Sequence, residues 1–219
     1  MFKKYILIIL FPVAVWASED EYIIDKSHFS VGFLVEHVGY AKTLGMFKHI
    51  DGSYTHDVTN KKINDIKIVI KTSSVFTNDE KRDEHLMSPD FLHVEKYPEM
   101  IFEATDIKID DKQSIINGNL TLLGITKPLI LTGKINKIGK YPFGGIIKPY
   151  VMGISARGTI KRSDHAMMYA IKDNLVGDEI IKTIIARHML KGCSFDASPA
   201  GTTRYRQEAR GISARELAT

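Results

Sequence analysis

Over most of its length the chain alternates apolar and polar residues with a period of two, the pattern of strands that turn one face to a core and the other to water. Phe29, Val31, Phe33 and Val35 alternate with Ser30, Gly32, Leu34 and Glu36, and Ile66, Ile68 and Ile70 alternate with Lys67, Val69 and Lys71. Met100, Phe102 and Ala104 form a third such set, and Ile116, Gly118, Leu120 and Leu122 a fourth. Leu129, Leu131, Gly133 and Ile135 follow, then Met152, Ile154, Ala156, Gly158 and Ile160. With the stretches 46–54 and 179–185 the pattern predicts about eight strands. Turn signals at Asp51-Gly52, Asp110-Asp111, Lys127-Pro128 and Phe143-Gly144-Gly145 keep the strands short. Such a chain folds as an all-β antiparallel barrel or sandwich, not as βαβ units.

One segment breaks the rhythm. Thr77-Asn78-Asp79-Glu80 reads as a capping box, in which the Thr77 oxygen accepts from the backbone and Glu80 reaches back. Asp79 and Glu80 also suit the positive end of a helix dipole. Pro89 disfavours helical geometry in the residue before it, so the helix ends near Leu86 to Ser88. A short helix is therefore expected between two strands, over one end of the barrel, where a lid would sit.

The first residues change the picture of where the protein works. Residues 1–17 carry Lys3 and Lys4, an apolar run from Tyr5 to Trp16, and Val15 and Ala17 at the positions of a cleavage site, which is the form of a secretory signal peptide. The run is too short for the roughly 20 residues of a membrane span. A periplasmic, cleaved product is expected. Cys193 has no partner for an internal disulfide, so packing alone must hold the fold. The formal charge of +4 does not point to nucleic acid: Lys3 and Lys4 lie in the leader, residues 187–219 are Arg-rich, and the body between them is close to neutral, without the basic cluster that phosphate-backbone binding needs.

Several dispersed motifs carry a resemblance. Ser74, Val75, Thr77, Arg82, Asp83, His85, Leu86, Asp90, Phe91, Tyr97 and Pro98 fall in the order and spacing of the YceI-like family of lipocalin-like proteins. Tyr22, Ile24, Asp25 and His28 resemble the opening of that family, and 118–128, Gly-Asn-Leu-Thr-Leu-Leu-Gly-Ile-Thr-Lys-Pro, resembles one of its strands and turns. The likeness runs from about residue 22 to about residue 184. It implies a lipocalin-like barrel that holds a long isoprenoid or fatty chain and has no known catalytic centre. Two departures stand out: after Arg162-Ser163-Asp164 the usual Phe-Gly is replaced by His165-Ala166, and the chain continues beyond the family's last strand. The expected organisation is thus a signal peptide at 1–17, a barrel domain at 18–186, and a tail at 187–219 that lacks periodicity and reads as disordered or atypical.

From the inward set and the resemblance, the ligand-binding residues are expected to be Phe29, Val31, Phe33, Val35, Ile68, Ile70, Phe102, Leu120, Leu131, Met152 and Ile154. Arg82, Asp83, His85 and Phe91 are expected to fix the lid to the rim. The partner is a long-chain isoprenoid or fatty lipid; transient membrane contact and a homodimer are both compatible with it. The pattern alone is equally that of a filled core. Glycines at 32, 118, 133, 153 and 158 lean toward a cavity, since glycine weakens a strand unless a bulge, a bend or a close approach explains it.

Enzymatic chemistry finds little footing. His85 and His93, near Asp83, Asp90 and Glu95, lack a shared face because Pro89 intervenes, so no metal site is expected. Asp25, His28, His37 and His56 read as turn and surface residues. There is no Gly-x-Ser-x-Gly nucleophile elbow and no cofactor motif, and no catalytic residue is assigned. A filled-core module acting through protein contacts is the alternative, with an isoprenoid-modifying enzyme behind it.

Overall fold

The computed structural model describes residues 19–57, 59–105, 107–110, 113–143, 148–190, 193–197 and 203–207. The leader expected at 1–17 lies outside the described residues. The chain begins with β1 (Glu19–Ile24), β2 (Ser30–His37), β3 (Ala41–Phe47), β4 (Ile50–Asp57) and β5 (Lys62–Lys71). A 3-10 turn (Thr72–Ser74) leads to β6 (Val75–Phe76) and α1 (Glu80–Met87). After the helix come β7 (Glu99–Ala104), β8 (Ile107–Lys108), β9 (Ser114–Leu122), β10 (Ile125–Lys140), β11 (Tyr150–Lys161) and β12 (Val176–Leu190). Two further strands, β13 (Cys193–Ala197) and β14 (Thr203–Gln207), pair only with each other.

β1 to β12 make one antiparallel sheet that closes on itself. β12 meets β11 along one edge; its other edge meets β2 over residues 176–185 and β1 over residues 188–190. β1 and β2 therefore lie in line along β12. β3 and β4 lie in line beside them, pairing with β2 and β1 respectively. β6 continues the line of β5, and β8 that of β7. The twelve segments of this sheet thus form an eight-walled meander, a size whose interior is filled by side chains or by one ligand. The expected barrel is present, and the larger number of segments comes from breaks within its long strands.

Those breaks have local causes. Between β1 and β2 the Asp25 carboxylate accepts from Ser27 N at 3.2 Å and Ser27 Oγ at 2.7 Å, and His28 N donates to the Asp25 carbonyl at 2.9 Å. This self-bonded turn is what Asp and Ser favour. Beyond β5, Ser74 Oγ donates to the Lys71 carbonyl at 2.6 Å and accepts from His49 N at 3.0 Å, which ties the β3–β4 break to the 3-10 turn.

The helix is capped differently from the expectation. Asp79, not Thr77, is the N-cap, and its carboxylate accepts from Arg82 N at 2.9 Å. Thr77 is drawn away by Asp83, whose Oδ1 accepts from Thr77 N at 2.8 Å and Thr77 Oγ1 at 2.6 Å. The helix ends at Met87 with Ser88 as C-cap, where Pro89 requires it.

At the other end of the chain, β12 extends past the expected domain boundary at 186. Its last residues pair with β1, a strand that the period-two pattern does not reveal. β13 and β14 fall inside the segment 187–219, expected to be a disordered or atypical tail.

Gly118 corrects an expectation, and Gly45, which was not among the glycines expected to mark a cavity, has the same cause. A Cβ at Gly118 would collide with the Phe102 ring, and one at Gly45 with the Phe33 ring. The barrel's own aromatics lie over these positions, so the glycines make room for rings of the chain itself. Gly153 has a different cause: it stands opposite the bulge at Ile135/Lys137.

Candidate functional site

The even-numbered residues of β7, β9 and β11 face inward, as do the odd-numbered residues of β2 and those of β10 up to the bulge at Ile135/Lys137, because a one-residue step reverses a strand's side chains. Together they enclose two apolar cavities stacked along the barrel. The inner cavity, about 80 Å³, is walled by Phe29, Ile68, Phe102, Leu131 and Ile154, with Tyr54, Ile63, Ile107 and Ala156. The outer cavity, about 60 Å³, is walled by Phe33, Val35, Phe47, Val75, Met100, Leu122 and Ile160, with Leu86, Phe91, Val176 and Arg162.

Of the expected ligand-binding residues, seven therefore border one cavity or the other. Val31, Ile70, Leu120 and Met152 are buried but border neither. The first three have a clear position. Val31 sits between Phe29 and Phe33 on β2, Ile70 follows Ile68 on β5, and Leu120 precedes Leu122 on β9, so these side chains form the layer that divides the two spaces. Met152 lies at the inner end, where its sulfur accepts from Tyr54 Oη at 3.2 Å.

The inner end is closed by a polar floor. Tyr22 stacks on Tyr54 with centroids 5.3 Å apart and planes within 3°, and His56 lies 6.0 Å from Tyr22. All three are buried, which corrects the reading of His56 as a surface residue. Tyr22 Oη and His56 Nδ1 have no hydrogen-bond partner among the described residues. Burial, with Asp20 and Tyr150 adding to it, pushes the Tyr22 hydroxyl well above its ordinary value. Burial also pushes the His56 imidazole down, against the opposing pull of Asp20 and Asp57.

The outer end opens instead. A vestibule of about 300 Å³ lies beyond it and shares Phe33, Val35, Leu86, Phe91 and Val176 with the outer cavity. These shared residues are the gate between them. Arg82, His85 and Phe91 of the expected lid all border this vestibule. His85 Nε2 lies 3.0 Å from Asp90 Oδ2, and its ring meets Phe91 and Tyr169 edge-on at 5.0 and 4.9 Å. Arg82 donates from Nε to Thr77 Oγ1 and from Nη2 to the Thr77 carbonyl, both at 2.7 Å. Asp83 holds Thr77 from the other side, so Arg82, Thr77 and Asp83 brace the start of the helix as one unit. His93, by contrast, packs against Tyr97 and does not join His85.

The residue that sequence reading missed is Arg162. It is 1% exposed, and its guanidinium stands 5.7 Å over the Phe91 ring. Nε donates to the Gly177 carbonyl at 2.8 Å, and Nη2 donates to the carbonyls of Tyr169 and Val176 at 3.1 and 2.9 Å. Burial lowers its pKa from the ordinary value, with Asp178 opposing. Asp178 in turn accepts from Ser163 N at 2.8 Å and Ser163 Oγ at 2.7 Å. Burial alone would raise that carboxyl, but these bonds and the charges of Arg162 and Lys161 bring it below the usual carboxylate range. A signal for Arg162 was present: 162 continues the even-numbered parity that sends 152, 154, 156, 158 and 160 inward.

Comparison with known proteins agrees with this architecture. A UPF0312 protein of Photorhabdus laumondii is 41% identical over 141 residues, 64% of this chain and 71% of its own. The YceI protein of Salmonella arizonae is 41% identical over 150 residues, 68% of this chain and 76% of its own. In structure, the YceI protein of Campylobacter jejuni superposes with a TM-score of 0.60 at 28% identity, over 70% of this chain and 88% of that one. A polyisoprenoid-binding domain from Saccharophagus degradans shares the fold, with a TM-score of 0.57 at 12% identity over 77% of this chain and 98% of that one. The YceI-like domain model matches residues 22–184, the closed barrel with its lid and mouth, and the chain belongs to that family.

Proposed function

We propose that this protein binds one long apolar chain inside its barrel, a polyisoprenoid, an isoprenoid quinone or a fatty-acid derivative, and carries or sequesters it in the periplasm. The observation that carries this reading is the vestibule, which leads through Leu86, Phe91 and Val176 into two apolar cavities set end to end. Family membership supports it, and so does the fold shared with a polyisoprenoid-binding domain. A buried methylene gains roughly 0.8 kcal/mol, so about a dozen give on the order of 10 kcal/mol before ordering costs are subtracted. No charged anchor is needed at that scale, and the reading is of a carrier, not a catalyst. Val38, Tyr40, Tyr169 and Leu175 are exposed, and three of the four border or flank the vestibule. This apolar rim suits brief contact with a membrane when the ligand is exchanged.

A second reading rests on size. The two cavities fall well short of the ~300 Å³ at which small-molecule sites begin, so a filled core acting through protein contacts has its own support. On the carrier reading the dividing layer of Val31, Ile70 and Leu120 must rotate aside to admit a chain, which makes exchange slow. Native mass spectrometry of protein recovered from the periplasmic fraction of its own host tests both. A retained lipid of one dominant mass is the expected result. Ligand-free protein that stays folded, or protein absent from the periplasmic fraction, would overturn the carrier reading or its location respectively.

A further inference from the structure

A second cleft, of about 230 Å³, lies where β10 and β11 part. The ladder between these strands runs from the pair Lys140/Tyr150 to the pair Thr132/Arg157 and stops there, although β10 begins at Ile125 and β11 continues to Lys161. Pro128 stands in the stretch of β10 beyond the ladder and has no N–H to offer a neighbouring strand.

Both faces of the sheet contribute to this cleft. Pro128, Thr159 and Lys161 are exposed and point outward by their parity, while Leu120, Leu129 and Ile160 are buried and point inward. Leu120 is decisive. It belongs to β9, on the far side of β10, and the cleft can reach it only from beneath β10. The cleft therefore passes through the wall instead of lying on it. At its inner end a single residue separates it from the outer cavity, for Ile160 borders both. A chain that enters by the vestibule, crosses the outer cavity beside Ile160 and leaves by the cleft never reaches the inner cavity. The layer of Val31, Ile70 and Leu120, which a chain bound for the inner cavity must displace, can then stay in place.

We propose that the bound chain is threaded across the mouth end of the barrel, in at the vestibule and out through the wall between β10 and β11, with both of its ends in water. This rests on the lipid-binding reading and adds to it a second site, the lateral cleft, for the far end of the chain. The route explains how cavities too small to enclose a long chain can still hold the middle of one. It also fixes the class of ligand. The interior sets no upper limit on chain length, and a polar group is admissible at either end. At the cleft such a group meets Lys127, Lys161, Asp164 and Glu179, side chains of both signs at the edge of water, so neither an anion nor a cation is turned away there.

The test uses a chain with a charge at each end, on the protein after its lipid has been extracted. Eicosanoic acid and eicosanedioic acid are each competed to equilibrium against a fluorescent fatty probe at about pH 8, where every carboxyl is ionised. A threaded site leaves both carboxylates of the diacid in water, so its affinity is expected to lie within about tenfold of that of the monoacid. A blind site must bury one of them, which would weaken the diacid on the order of a thousandfold or more. A chain doubled back on itself could also keep both ends at the vestibule, so a second measurement locates the ends. Bimane is attached at Thr159→Cys, on the cleft, or at Leu175→Cys, on the vestibule, each with Cys193→Ser, and the diacid carries a nitroxide quencher on one carboxyl. Quenching is expected at both positions. Rejection of the diacid, or quenching at residue 175 without quenching at residue 159, would overturn the proposal. Failure of both acids to displace the probe would instead overturn the lipid-binding reading beneath it.

Discussion

The two ends of this barrel are built on the same eight walls and solve opposite problems. At the inner end Tyr22 stacks on Tyr54 with His56 tilted beside it, all three buried, and Tyr54 borders the inner cavity. The outer end is a mouth in which Phe33, Leu86, Phe91 and Val176 stand between a cavity and a vestibule. Each end buries polar groups that lack full satisfaction, Tyr22 Oη and His56 Nδ1 at the floor and Arg162 Nη1 at the mouth. The floor is braced by aromatic stacking. The mouth is braced by backbone carbonyls and by a lid whose helix has no buried residue of its own. Stability and access are thus separated along one barrel axis, and substitutions should sort by which end they touch.

The largest effect is expected from a buried charge placed at matched positions. Phe102 and Phe33 each lie over a glycine of a neighbouring strand, but Phe102 borders the inner cavity and Phe33 borders both the outer cavity and the vestibule. Phe102→Asp loses the ring, which alone costs about 3–5 kcal/mol, and must desolvate a carboxylate as well. The fold is expected not to survive it. Phe33→Asp can send its carboxylate toward the vestibule, so the protein should stay folded and lose its lipid. Urea unfolding and lipid retention measured on both variants check this. Equal destabilisation would show that the mouth is as closed as the floor.

Next in size is the lid. Asp83→Ala removes both bonds that Thr77 donates, and with them the brace that orients Arg82. A loss of about 1–2 kcal/mol is expected, confined to residues 77–91. Amide exchange should quicken there and lipid should leave faster, while exchange in β9 and β11 is unchanged. If exchange rises throughout the barrel, lid and wall are one cooperative unit and the separation of the two ends fails.

The contrast also explains what could be read from the sequence. Period-two alternation reports which face of a strand meets apolar surroundings, so the walls and the inward set at Phe29, Phe33, Ile68, Phe102 and Leu131 were legible. β1 was not, because Glu19, Asp20 and Glu21 hide Tyr22 and Ile24 in a charged stretch, and its burial depends on pairing with residues 188–190 far along the chain. The helix was legible but its cap was not. Thr77 and Asp79 are both good caps, and Asp83 decides between them through a tertiary contact that spacing does not show. His56 and Arg162 were missed for a common reason: polarity suggests exposure, whereas their burial is set by strands that come together only in the closed barrel.

A smaller effect, and a sharper one for the comparison, is pH. Burial lowers the His56 pKa in the folded protein from the value near 6.5 that an exposed histidine has. Above about pH 6.5 the group is neutral in both states and costs nothing. As the pH falls below that, the unfolded chain takes up the proton first, so stability declines until the folded pKa is passed. At the mouth, Asp178 works in a lower window: its stabilisation is complete above the ordinary carboxylate value near 3.9 and is lost as the pH falls through its depressed folded value. Between pH 7.5 and 5.5 the decline should therefore belong to the floor, and His56→Gln should flatten it. Urea midpoints of both proteins at the two pH values test this; parallel declines would place the acid-sensitive group elsewhere.

The smallest effect concerns the turn that follows Arg162. Ala166 has φ +57°, in the left-handed region, and its N–H donates to the Ser163 carbonyl at 3.1 Å. The family that this chain resembles carries glycine at that point, and the geometry gives the reason: a Cβ in this conformation costs about 1 kcal/mol, which glycine avoids. The turn cannot relax into another form, since His165 N and Met167 N both donate to the Arg162 carbonyl, at 3.0 and 3.1 Å, and Arg162 itself is held by Gly177 and Val176. Ala166→Gly should stabilise the protein by a few tenths of a kcal/mol to about 1 kcal/mol, the strain relieved less the added freedom of the unfolded chain. That corresponds to a rise in Tm of at most about 2–4 °C. The gain should come without any change in lipid retention, because Ala166 borders neither the two cavities nor the vestibule. A lower Tm would mean that Ala166 packs against the mouth in a way that offsets its backbone strain. An unchanged Tm with slower lipid loss would mean that strain in this turn helps to open the mouth.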